Sequence, residues 1–158
     1  MIKFMVIGLP RSGTAWAANL LTTETSLCLH ESFIHYTIDE LDHRDYGFRL
    51  GIAETSAIYQ IEKINAHPAP KLIIERSLNE INASLQKLAL PSMPDDSIEL
   101  LSQIEGYRIP FEDLFNPVVM SKVCRTLFGL PFNIHRFNFL CDMNVQDQAA
   151  IELVREMV

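Results

Sequence analysis

Gly8-Leu9-Pro10-Arg11-Ser12-Gly13-Thr14-Ala15-Trp16 (GLPRSGTAW) directly follows the apolar run KFMVI. A short apolar run closed by glycine fits a fully buried central strand. Two glycines spaced as Gly8 and Gly13 are, leading into a helix that begins near Gly13, have the spacing of a loop whose backbone amides wrap a phosphate. In the common form of that loop a lysine and then a hydroxyl residue follow the second glycine, the one meeting the outer phosphates and the other holding magnesium. Here those places are taken by Thr14 and Ala15. Triphosphate hydrolysis and kinase chemistry lose their main charge stabilisers, whereas the amide cradle is independent of side chains. Arg11 adds a fixed, delocalised positive charge inside the loop. The loop is therefore expected to grip an anion without a metal.

Outward from this loop, strand and crossover helix alternate. Trp16, Ala17, Leu20 and Leu21 recur at helical spacing between Thr14 and about Thr23. SLCLHESF reads as a short strand running into a loop, and Asp39 to Arg49 as a polar, exposed stretch. Thr55 or Ser56 caps a helix carrying Ile58, Ile61 and Ile64. KLIIERS is a further buried strand, and Ser77, with Glu80 three residues on, caps the helix after it. Asp95, Asp96 and Ser97 start a short helix, YRIPFEDL is a strand with its exit loop, and NPVVMSKVCRTLFGL is a helix stopped by Gly129 and Pro131. DQAAIELVREMV, at 147–158, is amphipathic and helical. The pattern predicts an α/β fold of three α/β/α layers around a mostly parallel sheet, in one domain over 1–158.

With 158 residues and 48% hydrophobic content, the chain suits a single core. A formal charge of -7 argues against general attraction to nucleic acid or an anionic membrane, so any anion site is local. No apolar run reaches the roughly 18 residues of a spanning helix, and the amino-terminal run is too short for a signal peptide, so a cytoplasmic protein is expected. Cys28, Cys124 and Cys141 are odd in number and widely spaced, which suggests neither a disulfide frame nor a zinc site. His43, His67 and His135 read as surface residues.

Pro10-Arg11-Ser12-Gly13-Thr14-Ala15-Trp16 resembles the loop of sulfotransferases that use 3′-phosphoadenosine-5′-phosphosulfate, which runs close to Pro-x-Ser-Gly-Thr-Thr-Trp with Lys or Arg at x. The resemblance implies a P-loop fold of the sulfotransferase type and this nucleotide as donor. It sets Arg11 beside the 5′ phosphosulfate, Ser12, Gly13 and Thr14 on its oxygens, and Trp16 near the adenine. Ala15 departs from the family's second Thr, so one hydroxyl contact to phosphate is absent. The family also places an Arg at a strand end and a Ser eight residues later, together holding the 3′ phosphate; Arg76 and Ser84 have that spacing. From the residues alone, Arg76 ends KLIIE at the carboxyl edge of a parallel sheet, where α/β proteins bind ligands. GIAETS, PAPKLIIERS, IPFEDL and LFGLPF are similar, in order, to the family's corresponding segments.

Sulfuryl transfer to a hydroxyl or amine needs a base for the acceptor's proton. Protein-tyrosine sulfotransferases, similar here in the Arg-Ser-Gly-Thr loop, carry a catalytic Glu after a comparable interval, which implicates Glu31, with His30 in reserve. Arg11 would neutralise charge growing on the departing phosphate. His30 and His35 nearly imitate a zinc motif, but five residues apart on a helix they would be separated by roughly 140°. No metal is expected. The alternative is a non-catalytic domain of the same fold that binds a nucleotide, an anion or another protein. The acceptor is left open.

Overall fold

The computed structural model describes residues 1–143. The helix expected at 147–158 lies outside them.

β1 (Phe4–Gly8) is buried along its whole length and forms the middle of the sheet. With β2 (Ser26–His30), β3 (Arg49–Glu54), β4 (Lys71–Glu75) and β5 (Tyr107–Pro110) it makes a five-stranded sheet in the order β2-β3-β1-β4-β5, every neighbouring pair parallel. Side-chain alternation splits the core in two. Phe4, Val6, Leu72 and Ile74 pack with α1 (Thr14–Leu21), α6 (Pro117–Lys122) and α7 (Ile134–Asp142) on one face. Met5, Ile7, Ile52 and Ile73 pack with α2 (Ile38–His43), α3 (Ile61–Ala66), α4 (Leu78–Gln86) and α5 (Ser97–Ser102) on the other. The architecture is α/β in three layers, with a sheet that is wholly rather than mostly parallel among the described residues.

The connection from β1 to β2 runs over the first face, and those from β2 to β3, β3 to β4 and β4 to β5 over the second. β1 and β4 lie side by side, yet the chain leaves them in opposite directions. A crevice opens between their carboxyl ends, the place where open parallel sheets bind ligands.

Three elements, β3, α7 and α2, went unread in the sequence. β3 has only Leu50, Gly51, Ile52 and Ala53 as its apolar stretch, interrupted by a glycine and bounded by Arg49 and Glu54. Gly51 is required there because a Cβ would sit 2.0 Å from the ring of Phe4, its register partner on β1. α7 is capped by Asn133, whose side chain accepts from the amides of His135 and Arg136, and it turns Phe137 and Leu140 inward. The stretch expected to be exposed from Asp39 to Arg49 instead begins within α2, which has a capping box at Thr37 and buries Ile38 and Leu41. The helix expected over NPVVMSKVCRTLFGL is α6 followed by a π-helical turn at Val123–Leu127, ending at Gly129 with φ 61.

His67 is not a surface residue. It is buried, with Nε2 3.0 Å from Asp42 Oδ2 and Nδ1 accepting from the Ala69 amide at 3.1 Å. Asp42 also accepts from the Ile2 amide at 2.6 Å, and Lys71 Nζ donates to the carbonyls of His67 and Ala69. This network ties α2, α3 and the starts of β1 and β4 at the amino edge of the sheet, opposite the crevice. Sequence proximity to Pro68 and Pro70 hid it, since Asp42 lies far along the chain. Among the described residues no helix is long and apolar enough to cross a membrane.

Candidate functional site

β1 ends at Gly8, where a Cβ would meet Ser12 Oγ at 2.2 Å and the Ile74 carbonyl at 3.3 Å. The loop then winds through two left-handed residues, Arg11 with φ 67 and Gly13 with φ 87. A non-glycine residue in that region costs roughly 1–2 kcal/mol and is held only where its surroundings enforce it. Gly13 is the N-cap of α1 and offers no side chain to it, so the first-turn amides at Thr14, Ala15 and Trp16 have no capping side chain. They sit at the positive end of the helix dipole.

Residues distant in sequence converge on this loop. Arg11 Nε donates to Ser84 Oγ on α4 at 2.9 Å, and Arg76, one residue beyond β4, donates from a terminal guanidinium nitrogen to the Arg11 carbonyl at 2.6 Å. The Arg76 guanidinium also lies 4.1 Å from the ring centre of Phe111 in the β5 exit turn (Phe111–Phe115). Burial and the positive charge of Arg76 lower the pKa of Arg11 from its ordinary value. Two guanidinium groups are thus held close together at this loop on a chain of net charge -7. Beside it a cleft of about 460 Å³ is lined by Arg76, Leu78, Ile98, Leu101 and Pro110, with Glu75, Glu80 and Glu112 among its other residues.

Two sequence-nominated residues are turned elsewhere. Ser12 is fully buried, and both its amide and its hydroxyl donate to the Leu9 carbonyl, at 3.1 and 2.5 Å. Its donors brace the loop. Trp16 is 4% exposed, donates from Nε1 to the Leu140 carbonyl at 3.0 Å, and packs at steep angles against Phe115 and Phe137. Its indole joins α1 to α7 and is no open stacking surface.

On the other flank of the loop, β2 delivers His30 and then Glu31. Thr14 Oγ1 is 3.2 Å from His30 Nε2, and the same nitrogen is 3.5 Å from Glu31 Oε1. Burial lowers the His30 pKa below its ordinary 6.5, with Glu31 pulling in the opposite direction, so at neutral pH the imidazole is uncharged and able to take a proton. Glu31 has φ 54 and is only partly covered, its side chain 23% exposed.

The sequence reading passed over Glu54, the last residue of β3, which is fully buried. Its Oε1 accepts from the Ser32 amide at 2.6 Å, the Phe33 amide at 3.3 Å and the Ser32 hydroxyl. Burial, with Glu31 adding to it, pushes the carboxyl up to about 7 against the pull of these hydrogen bonds. Recognising LGIAE as a strand would have exposed it, since a carboxylate ending a buried strand at the carboxyl edge is a site signal.

Among the described residues no group of three or more His, Cys, Asp and Glu is arranged to hold a metal ion. Compared with known proteins, the chain gives no significant match to a family profile, a curated protein or a solved structure.

Proposed function

We propose that the chain binds 3′-phosphoadenosine-5′-phosphosulfate across the crevice between β1 and β4 and passes its sulfuryl group to a hydroxyl or amine, as a P-loop protein of the sulfotransferase type. The observation that carries this reading is the convergence of Arg11, Ser84 and Arg76, joined by hydrogen bonds of 2.9 and 2.6 Å although 73 and 65 residues, respectively, separate the partners. A ligand with phosphate at both ends of one nucleoside suits two adjacent arginines and a helix N-terminus better than a ligand with one anionic end.

In this reading the acceptor oxygen or nitrogen attacks sulfur in line, a new bond to sulfur forms, and the bond from sulfur to the phosphate oxygen breaks. The electron pair leaves on 3′,5′-bisphosphoadenosine. Arg11 and the first amides of α1 meet the charge that grows on that phosphate. Glu31 takes the acceptor proton, and His30, held uncharged by burial, is the reserve base. Arg76 with Ser84 holds the 3′ phosphate, and the cleft beside Arg76 has room for the adenosine.

The inward turn of Ser12 and Trp16 favours a second reading, a domain of this fold that binds an anionic nucleotide without turnover. Thermal shift separates the possibilities. At 100 times its dissociation constant a ligand stabilises by about 2.7 kcal/mol, a rise of roughly 5–10 °C for this length. We expect that rise with 3′,5′-bisphosphoadenosine and not with ATP and magnesium. Arg76→Ala is expected to weaken the bisphosphate at least ten-fold more than it weakens 5′-AMP; equal losses refute the 3′-phosphate assignment. Release of sulfate from the donor, with water as the acceptor, distinguishes an enzyme from a binding domain, and it should fall sharply in Glu31→Gln.

A further inference from the structure

The turn after β2 carries both groups proposed to receive the acceptor's proton, so whatever fixes that turn fixes the chemistry. Its first amides are held from the side of β3. The Glu31 amide donates to the Ala53 carbonyl at 3.0 Å, and the next two amides, of Ser32 and Phe33, donate to Glu54 Oε1. The Ser32 hydroxyl donates to the same oxygen. Three consecutive amides are thus bound to the last two residues of β3, and between them Glu31 is kept at φ 54, a conformation it would leave if released.

We infer that Glu54 is the positioning residue of this turn: its carboxyl clamps Ser32 and Phe33 so that Glu31 and His30 are presented toward Thr14 at the start of α1. The catalytic part of this inference rests on the function proposed above, whereas the clamp itself does not. Oε1 receives all three donors, while Oε2 is buried with no hydrogen-bond partner among the described residues. Oε1 alone therefore grips the turn, in a carboxyl that burial pushes up to about 7. The charged group that acts on it is Glu31 of the turn, with His30 next beyond Glu31, while the buried Cys28 thiol of β2 lies near enough to feel its charge. Ionisation of Glu54 strengthens the acceptor that grips the turn and at the same time sets a second negative charge near Glu31. The presentation of the base is therefore sensitive to pH near neutrality.

The test pairs amide hydrogen exchange with sulfate release from the phosphosulfate donor in water. In Glu54→Ala we expect exchange at Ser32 and Phe33 to quicken ten-fold or more. The melting shift with 3′,5′-bisphosphoadenosine should be retained, and kcat should fall at least ten-fold with KM for the donor within three-fold. Glu54→Gln keeps a carbonyl oxygen for the same three donors, so slow exchange and most of kcat return, but the pH profile loses its inflection near 7. Should Glu54→Ala not fold, Glu54→Thr shortens the side chain so that no carboxyl reaches the two amides, and exchange at Ser32 and Phe33 should quicken likewise. Exchange that stays slow in Glu54→Ala, or in Glu54→Thr if that is the variant in hand, overturns the inference, and so does an unchanged kcat. If the wild-type protein releases no sulfate, the proposed function fails, and amide exchange alone decides whether Glu54 holds the turn.

Discussion

Glu54 shows how one side chain's surroundings become a property of the whole protein. Its ordinary value is 4.5 and its folded value about 7, so between those pH values the native state holds a proton that the unfolded chain has released. Stability from this group is therefore greatest at the acid end of the window and falls as pH rises through it, by at most roughly 3 kcal/mol. Glu54→Gln abolishes the titration. Urea melts of variant and wild type should give a stability difference that moves in the variant's favour between pH 5 and pH 8, and a difference flat with pH would refute the assignment. At this scale the sequence nominated Arg11, Thr14, His30, Glu31, Arg76 and Ser84, all of which lie around the glycine loop. It also nominated Ser12 and Trp16, which look inward, because a motif gives order along the chain and not the direction of a side chain.

At the scale of elements, β3 is the instructive case. A strand flanked on both sides by others needs little apolar length of its own, because β1 and β2 supply its hydrogen bonds and Phe4 fills the space above Gly51. Periodicity therefore had almost nothing to report. Gly51→Ala forces a methyl into the Phe4 ring, which itself lies 5.0 Å from that of Phe128, and overpacking of this kind costs about 1–3 kcal/mol. We expect a lower Tm for Gly51→Ala and partial recovery in the double variant with Phe4→Leu; additive losses would show that the ring is not the obstacle. Elements with strong local signals were legible: β1 and β4 from their apolar runs, and α4 from Ser77, whose hydroxyl accepts from the Glu80 amide.

Across the whole molecule the two edges of the sheet have different work. The carboxyl edge gathers the loop, the two arginines and the turn that bears His30 and Glu31, while the amino edge is closed by His67, Asp42, Lys71 and the Ile2 amide. His67→Ala leaves Asp42 short of a partner in a half-buried place and should lower stability by about 1–3 kcal/mol. It should leave the melting shift with 3′,5′-bisphosphoadenosine intact, since no atom of that network reaches the crevice. A loss of ligand response in a variant that is otherwise folded would mean that the two edges are coupled.

By itself the sequence determined what local physics can write: that the runs of β1 and β4 become strands, that Ser77 starts a helix, and that the glycine loop lacks a lysine and a magnesium hydroxyl. Those features depend on neighbours a few residues away, so they survive in one dimension. Thr55 and Ser56, expected to cap a helix over Ile58, Ile61 and Ile64, instead begin a 3-10 turn, and the helix starts at Ile61. Only the tertiary structure decided the strand order, the crevice between β1 and β4, the burial of His67 with Asp42, and the hold of Glu54 on the turn that bears Glu31. Each of these joins groups more than 20 residues apart, and their energies come from desolvation and close packing, which exist only once the chain has closed around them.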